Sequence, residues 1–259
     1  MKIALAVLVF LGAAAMPAAA VEGKIIDNPD LSFIVGYRMW LNNWSSWNTG
    51  ESGTNFIQNS QASLANSGSL TFRYKRFFTN VGLTGFGEIV FPTYSDRLAS
   101  GALRNVQMKA TRNEVDWNLG YSVIPQLGFT VGLKHVAQKW QYSYNGAAYG
   151  SATNWYWTGP TLGMYGSAAI GSGFSIYGNG AGGIMSVSQD PKPTVARNDT
   201  ATYESAELGL AWKAAKAPLS ASLGYKFQRI NTRFDVAGYT NMRGLDLTSG
   251  YTLGLNVIF

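Results

Sequence analysis

From Leu247 to Phe259 the chain alternates strictly: Tyr251, Leu253, Leu255, Val257 and Phe259 fall on one face of an extended segment, with Thr252, Gly254 and Asn256 on the other. Ile258 is the one apolar exception near the end. Residues two apart share a face of a β-strand, so one side of this segment meets apolar surroundings and the other meets polar ones. As an open edge in water, so apolar a strand would be an aggregation hazard. In a lipid bilayer it fits as the closing strand of a barrel, because only closure satisfies every backbone group there.

The same alternation recurs often enough to give ten candidate strands. The first runs over about 31–42, with Phe33, Val35, Tyr37, Met39 and Leu41 opposite Gly36 and Arg38. The second covers about 68–78 and the third about 81–91, joined near Phe78, Thr79 and Asn80. The fourth sets Val115, Trp117, Leu119, Tyr121 and Val123 against Glu114, Asp116, Asn118, Gly120 and Ser122. Strands at about 127–142, 154–168, 172–187, 201–213 and 218–230 follow, and then the closing one. The long connections are 43–67, 92–111, 143–153, 188–200 and 231–245, and they alternate with short ones such as Pro125-Gln126. All short turns therefore lie on one side, the arrangement of a barrel with short turns at one end and longer loops at the other.

On these residues, and on the terminal Phe259, the chain resembles the small β-barrel proteins of the bacterial outer membrane. The resemblance implies an all-β, transmembrane, up-and-down antiparallel barrel, with ten strands expected and eight or twelve as the alternative counts. It also implies that Phe259 is the signal read by the barrel-assembly machinery, and that outer-membrane lipid and lipopolysaccharide surround a monomer.

The first 20 residues read as a secretory signal peptide: Met1-Lys2 is basic, Ile3 to Ala15 is apolar, and Met16-Pro17-Ala18-Ala19-Ala20 offers a small-residue cleavage site. Residues 21–259 then form one barrel domain. The chain has no cysteine, which excludes disulfides and thiolate metal sites. A formal charge of +6, of which Lys2 supplies one, is far from the basic stripe of a nucleic-acid binder.

If the apolar face meets lipid, the other lines the lumen. Its expected charges are Arg38, Arg73, Lys75, Lys134 and Lys226 against Glu88, Glu114, Asp116, Glu207 and Asp246. Counting from the short turns places Asp116 opposite Lys134 and Glu207 near Lys226, pairs that would offset the cost of confined charge. Two readings of the lumen stay open: a plug of ion pairs and aromatics such as Phe86 and Tyr177, or a narrow channel for a small solute. Trp40, Trp140, Trp155 and Trp157 towards the long loops, and Tyr74, Tyr121 and Trp212 towards the short turns, are expected as interfacial girdles. The glycines of the sixth and seventh strands suit either a bend overlain by aromatics or a lateral opening.

Some outer-membrane barrels are enzymes, among them the omptin proteases and the lipid A-modifying enzymes. The single histidine, His135, shares the outward parity of Val131 and Leu133, and no flanking pattern resembles those enzymes. No catalytic residue, cofactor site or metal site is assigned. The loops lean basic, with Arg97, Arg104, Lys109, Arg112, Lys139, Lys192, Arg197, Arg229, Arg233 and Arg243 outnumbering the acids, which suits lipopolysaccharide phosphate first and a surface ligand second.

Overall fold

The structure, a computed structural model, describes residues 30–49, 55–97, 103–190, 199–236 and 239–259. The expected signal peptide lies outside them. So do the loop positions Glu51, Lys192 and Arg197 and, as side chains, Asp96, Arg97 and Asp235.

Every regular element among the described residues is a strand: β1 (Leu31–Thr49), β2 (Asn55–Asn59), β3 (Ser63–Tyr74), β4 (Phe77–Phe86), β5 (Ile89–Val90), β6 (Tyr94–Arg97), β7 (Leu103–Ile124), β8 (Leu127–Tyr144), β9 (Ala147–Gly171), β10 (Phe174–Asp190), β11 (Thr200–Lys213), β12 (Leu219–Val236) and β13 (Tyr239–Ile258). Their order around the sheet is β13-β12-β11-β10-β9-β8-β7-β4-β3-β1, and β1 pairs back onto β13. That closes an up-and-down antiparallel barrel of ten staves, with β2 added to β1, and β5 and β6 added to β7. Closure leaves none of the ten staves with a free edge, as a bilayer requires. The seam ends where Phe33 and Phe259 exchange backbone hydrogen bonds, 3.1 Å and 2.8 Å long. Their rings meet with centroids 6.3 Å apart.

Alternation decides which face each stave turns outward. Leu70, Leu83, Trp117, Val131, Leu210 and Leu253 are all exposed on the outer wall, where lipid would take the place of water. Between them, Ser67, Asp116, Lys134, Glu207 and Asn256 line the interior.

The second strand ends earlier than its alternation suggests. The turn is at Lys75-Arg76, where Lys75 takes a left-handed φ of 54°, and Phe77 and Phe78 already belong to the next stave. Loop 143–153 is also shorter than expected. Asn145 (φ 48°) and Gly146 (φ 84°) close a two-residue hairpin, so β8 and β9 stay paired well past the apolar region. Two left-handed residues in succession match the twist of the flanking strands, and Asn-Gly adopts them readily. Backbone pairing likewise carries β12 and β13 into the polar stretch 231–245. Hydrophobic alternation marks only the lipid-facing part of a stave, whereas ladder hydrogen bonds continue wherever two strands remain opposed.

Candidate functional site in the lumen

Of the ten charges expected in the lumen, Arg38, Arg73, Glu114, Asp116, Lys134, Glu207, Lys226 and Asp246 share the inward parity of their staves. Two do not. Lys75 sits in the turn, exposed, with its Nζ 3.8 Å from Asp30. Glu88 follows Gly87 beyond the end of β4, and the break in the strand turns it to the exposed side, 2.9 Å from Lys109.

The upper girdle is also corrected. Trp40 is 1% exposed and Trp157 3% exposed, both inside the barrel. Trp140 packs against a cluster of Trp40, Trp44, Phe86, Ile89, Phe91, Met108 and Ala110. Trp155 stacks on Trp157 at 5.9 Å and packs against a second cluster of Val136, Met185, Ala201, Tyr203 and Ile230. Parity is the reason: Trp40 is two residues from Arg38, and Trp140 is six residues from Lys134, so each follows its neighbour inward. At the short-turn end Tyr74, Tyr121 and Trp212 do lie on the exposed outer face, with Tyr121 against Phe77 at 4.9 Å.

From the short turns upward the interior is built in layers. At the bottom, Arg73 donates to Ser122 at 2.9 Å, Ser122 and Tyr165 share a hydrogen bond of 2.6 Å, and Phe78 meets Tyr165 edge-on at 5.6 Å. Above this is a polar cavity of about 430 Å³, lined by Asn118, Thr130, Asn179, Ser205 and the charges of the middle layer.

The middle layer is an ion network. Lys134 Nζ lies 2.7 Å from Glu114 and 2.9 Å from Asp116, its opposite in the β7/β8 register. Arg112 Nε lies 2.7 Å from Glu114, and Gln228 reaches across from β12 to donate to the same carboxylate at 2.7 Å. Arg112, Glu114 and Lys134 are each only 1% exposed. Arg112, grouped with the loop charges by sequence, is inward because it shares the parity of Glu114. That spacing was the available signal. Glu207 is opposite Lys226 in the register, yet its ion pair goes to Arg38 at 2.7 Å. Tyr177 and Thr252 also donate to Glu207, at 2.7 Å and 2.9 Å. Lys226 instead lies over the Trp40 ring, 4.5 Å from its centroid. The Lys134 ammonium takes the position between two carboxylates that a hard cation would otherwise occupy.

The aromatic clusters close over this network. Arg112 lies 5.6 Å from the Trp44 ring and 5.4 Å from Phe86. Trp157 Nε1 donates across the lumen to Thr232 at 2.9 Å, and Trp44 Nε1 donates to Asp246 of the neighbouring stave at 3.1 Å. His135 is outside all of this, hydrogen-bonded to Thr158 at 2.7 Å and stacked on Tyr156 at 6.1 Å.

No family model matches the sequence, and no curated protein matches it either. Solved structures do. The outer membrane protease OmpT from Escherichia coli is 12% identical, with a TM-score of 0.59 over 92% of this chain and 99% of that one. The attachment invasion locus protein Ail of Yersinia pestis is 7% identical, with a TM-score of 0.35 over 88% and 99%. The toluene transporter TodX of Pseudomonas putida is 7% identical, with a TM-score of 0.35 over 89% and 90%. The chain thus has the fold of the bacterial outer-membrane β-barrels; at the identity to OmpT, the likeness is one of fold alone.

Proposed function

We propose that this protein is exported by its N-terminal segment to the bacterial outer membrane and serves there as a closed, non-enzymatic surface barrel. The supporting observation is the buried middle layer, where Gln228 from β12 and Arg112 and Lys134 from β7 and β8 converge on Glu114. Steady ion flow would have to break contacts among charges with no water to replace them, which costs several kcal/mol per ion. The small-channel reading predicts the opposite. The enzyme reading lacks an inward imidazole, since His135 faces out, and a general base must come within hydrogen-bond reach of its substrate. With the lumen closed, the long-hairpin end is the working surface, and the exposed Arg233 and Arg243 there suit lipopolysaccharide phosphate.

Planar-bilayer recording of the refolded mature protein tests this. Wild type, Asp116→Asn and Glu207→Gln are expected to be silent, with folding verified by heat-modifiable migration on a gel. Steady wild-type conductance that either substitution alters would replace the proposal with a channel.

A further inference from the structure

At the long-hairpin end, above the aromatic layer, the staves enclose a second cavity of about 270 Å³. Trp140, Trp155, Trp157 and Tyr142 supply aromatic surface to it, and Thr153, Thr232, Gln189 and Asp246 supply polar groups. The indoles are fixed in place: Trp155 stacks on Trp157, and the Trp157–Thr232 bond ties the latter to the opposite wall. Asp246 is held by the indole N–H of Trp44. The wall is irregular at this level, since the ladder passes from Trp140↔Thr153 to Tyr142↔Tyr149 and leaves residues 150–152 of β9 against a single residue of β8. Bulges of this kind commonly re-aim side chains beside functional sites. One inward position below Trp140, Gln138 is 2% exposed and lies beside Asp246 of the pocket.

We infer that this cavity is a binding site for a single pyranose ring of a neutral or acidic sugar. The inference rests on the closed-lumen reading only in taking this mouth as the working end. A pyranose presents an apolar face of C–H groups and an equatorial rim of hydroxyls. The indole faces match the former; the carboxylate, amide and hydroxyl groups match the latter. The volume lies just below the usual range of small-molecule pockets, roughly 300–1,000 Å³, which suits one ring rather than a chain. Aromatic walls with one carboxylate also suit a quaternary ammonium. The polar groups argue against it here: a quaternary ammonium offers no hydrogen bond to Asp246, Thr153, Thr232 or Gln189, whereas sugar hydroxyls both donate and accept.

Intrinsic tryptophan fluorescence of the refolded protein in a zwitterionic, sugar-free detergent tests the inference. The probes are glucose, galactose, N-acetylglucosamine and glucuronate, with choline chloride as the cation arm. At least one sugar is expected to give a saturable change. Trp155→Ala and Asp246→Asn should weaken that binding at least tenfold, while Lys213→Ser, at the opposite end of the barrel, leaves it unchanged. Thr153→Ala serves in place of Trp155→Ala where heat-modifiable migration shows that the tryptophan variant does not fold. Saturation by choline alone, no saturable change with any sugar, or binding that survives these substitutions would overturn the inference. Each of these outcomes leaves the conductance result, and so the closed lumen, to be judged by itself.

Discussion

Glu114 holds two cations and an amide in a space where none of them meets water, so its loss is felt through what it leaves behind. Glu114→Ala is expected to destabilise the barrel by about 3–5 kcal/mol, the usual cost of stranding a buried charge. The midpoint of urea unfolding in lipid vesicles would measure it, and a change below 1 kcal/mol would mean that water reaches the layer. Phe78 makes a different demand: its ring lies directly against the Cα of Gly120, where a Cβ would overlap the ring. Gly120→Ala should therefore displace the Phe78 ring and cost roughly 1–3 kcal/mol, read by the same unfolding midpoint. Tyr177 is seated similarly, and a Cβ added at Gly224 would lie 2.5 Å from its hydroxyl. Parity made the inward charges legible at this scale, because Glu114, Asp116 and Lys134 alternate with unmistakable lipid-facing residues. It placed Trp40 and Trp140 inward as well, but interfacial preference for tryptophan pointed the other way and was the weaker guide. Parity is a geometric constraint on a strand, and residue preference is only a tendency.

Among the elements, β7 and β8 alternate most cleanly, and the outward Leu119 and Leu133 sit in the apolar band. Leu133→Arg should cost about 2–4 kcal/mol near the bilayer midplane, where an arginine has no partner. The same substitution at Leu103, at the far end of β7, should cost much less, since charge on the outer face is tolerated towards the membrane surface. Comparing the two in a vesicle-folding assay locates the band, and equal costs would mean that it does not lie where alternation puts it. The turn at Pro125-Gln126 and the apolar segments were legible because each has a local cause. The upward extensions of β9, β12 and β13 were not, because their residues do not continue the apolar-outward alternation of the lipid-facing segments. Only the opposing strand reveals that they are paired.

For the whole molecule, closure is the decisive event. It depends on β13 pairing with β1 along Ile34↔Ile258 to Asn48↔Gly244. Deleting Phe259 removes both terminal hydrogen bonds to Phe33 and the ring contact beside them. The truncated chain is expected to refold more slowly in vesicles, with a larger unshifted fraction on a heat-modifiable gel; refolding at the wild-type rate would show that the seam closes without this residue.

The alternation of apolar and polar residues by itself determined the antiparallel staves, their even number and the face each turns to lipid, because a strand has only two faces and a bilayer accepts only closed sheets. It also set Asp116 across from Lys134, since a short turn fixes register between neighbours. Which charges meet across the lumen was decided only by the tertiary structure. Arg38 pairs with Glu207 from a stave three positions away around the barrel, and Gln228 reaches Glu114 across the interior. Such contacts depend on barrel width and strand stagger, which are properties of the closed sheet and of no single segment.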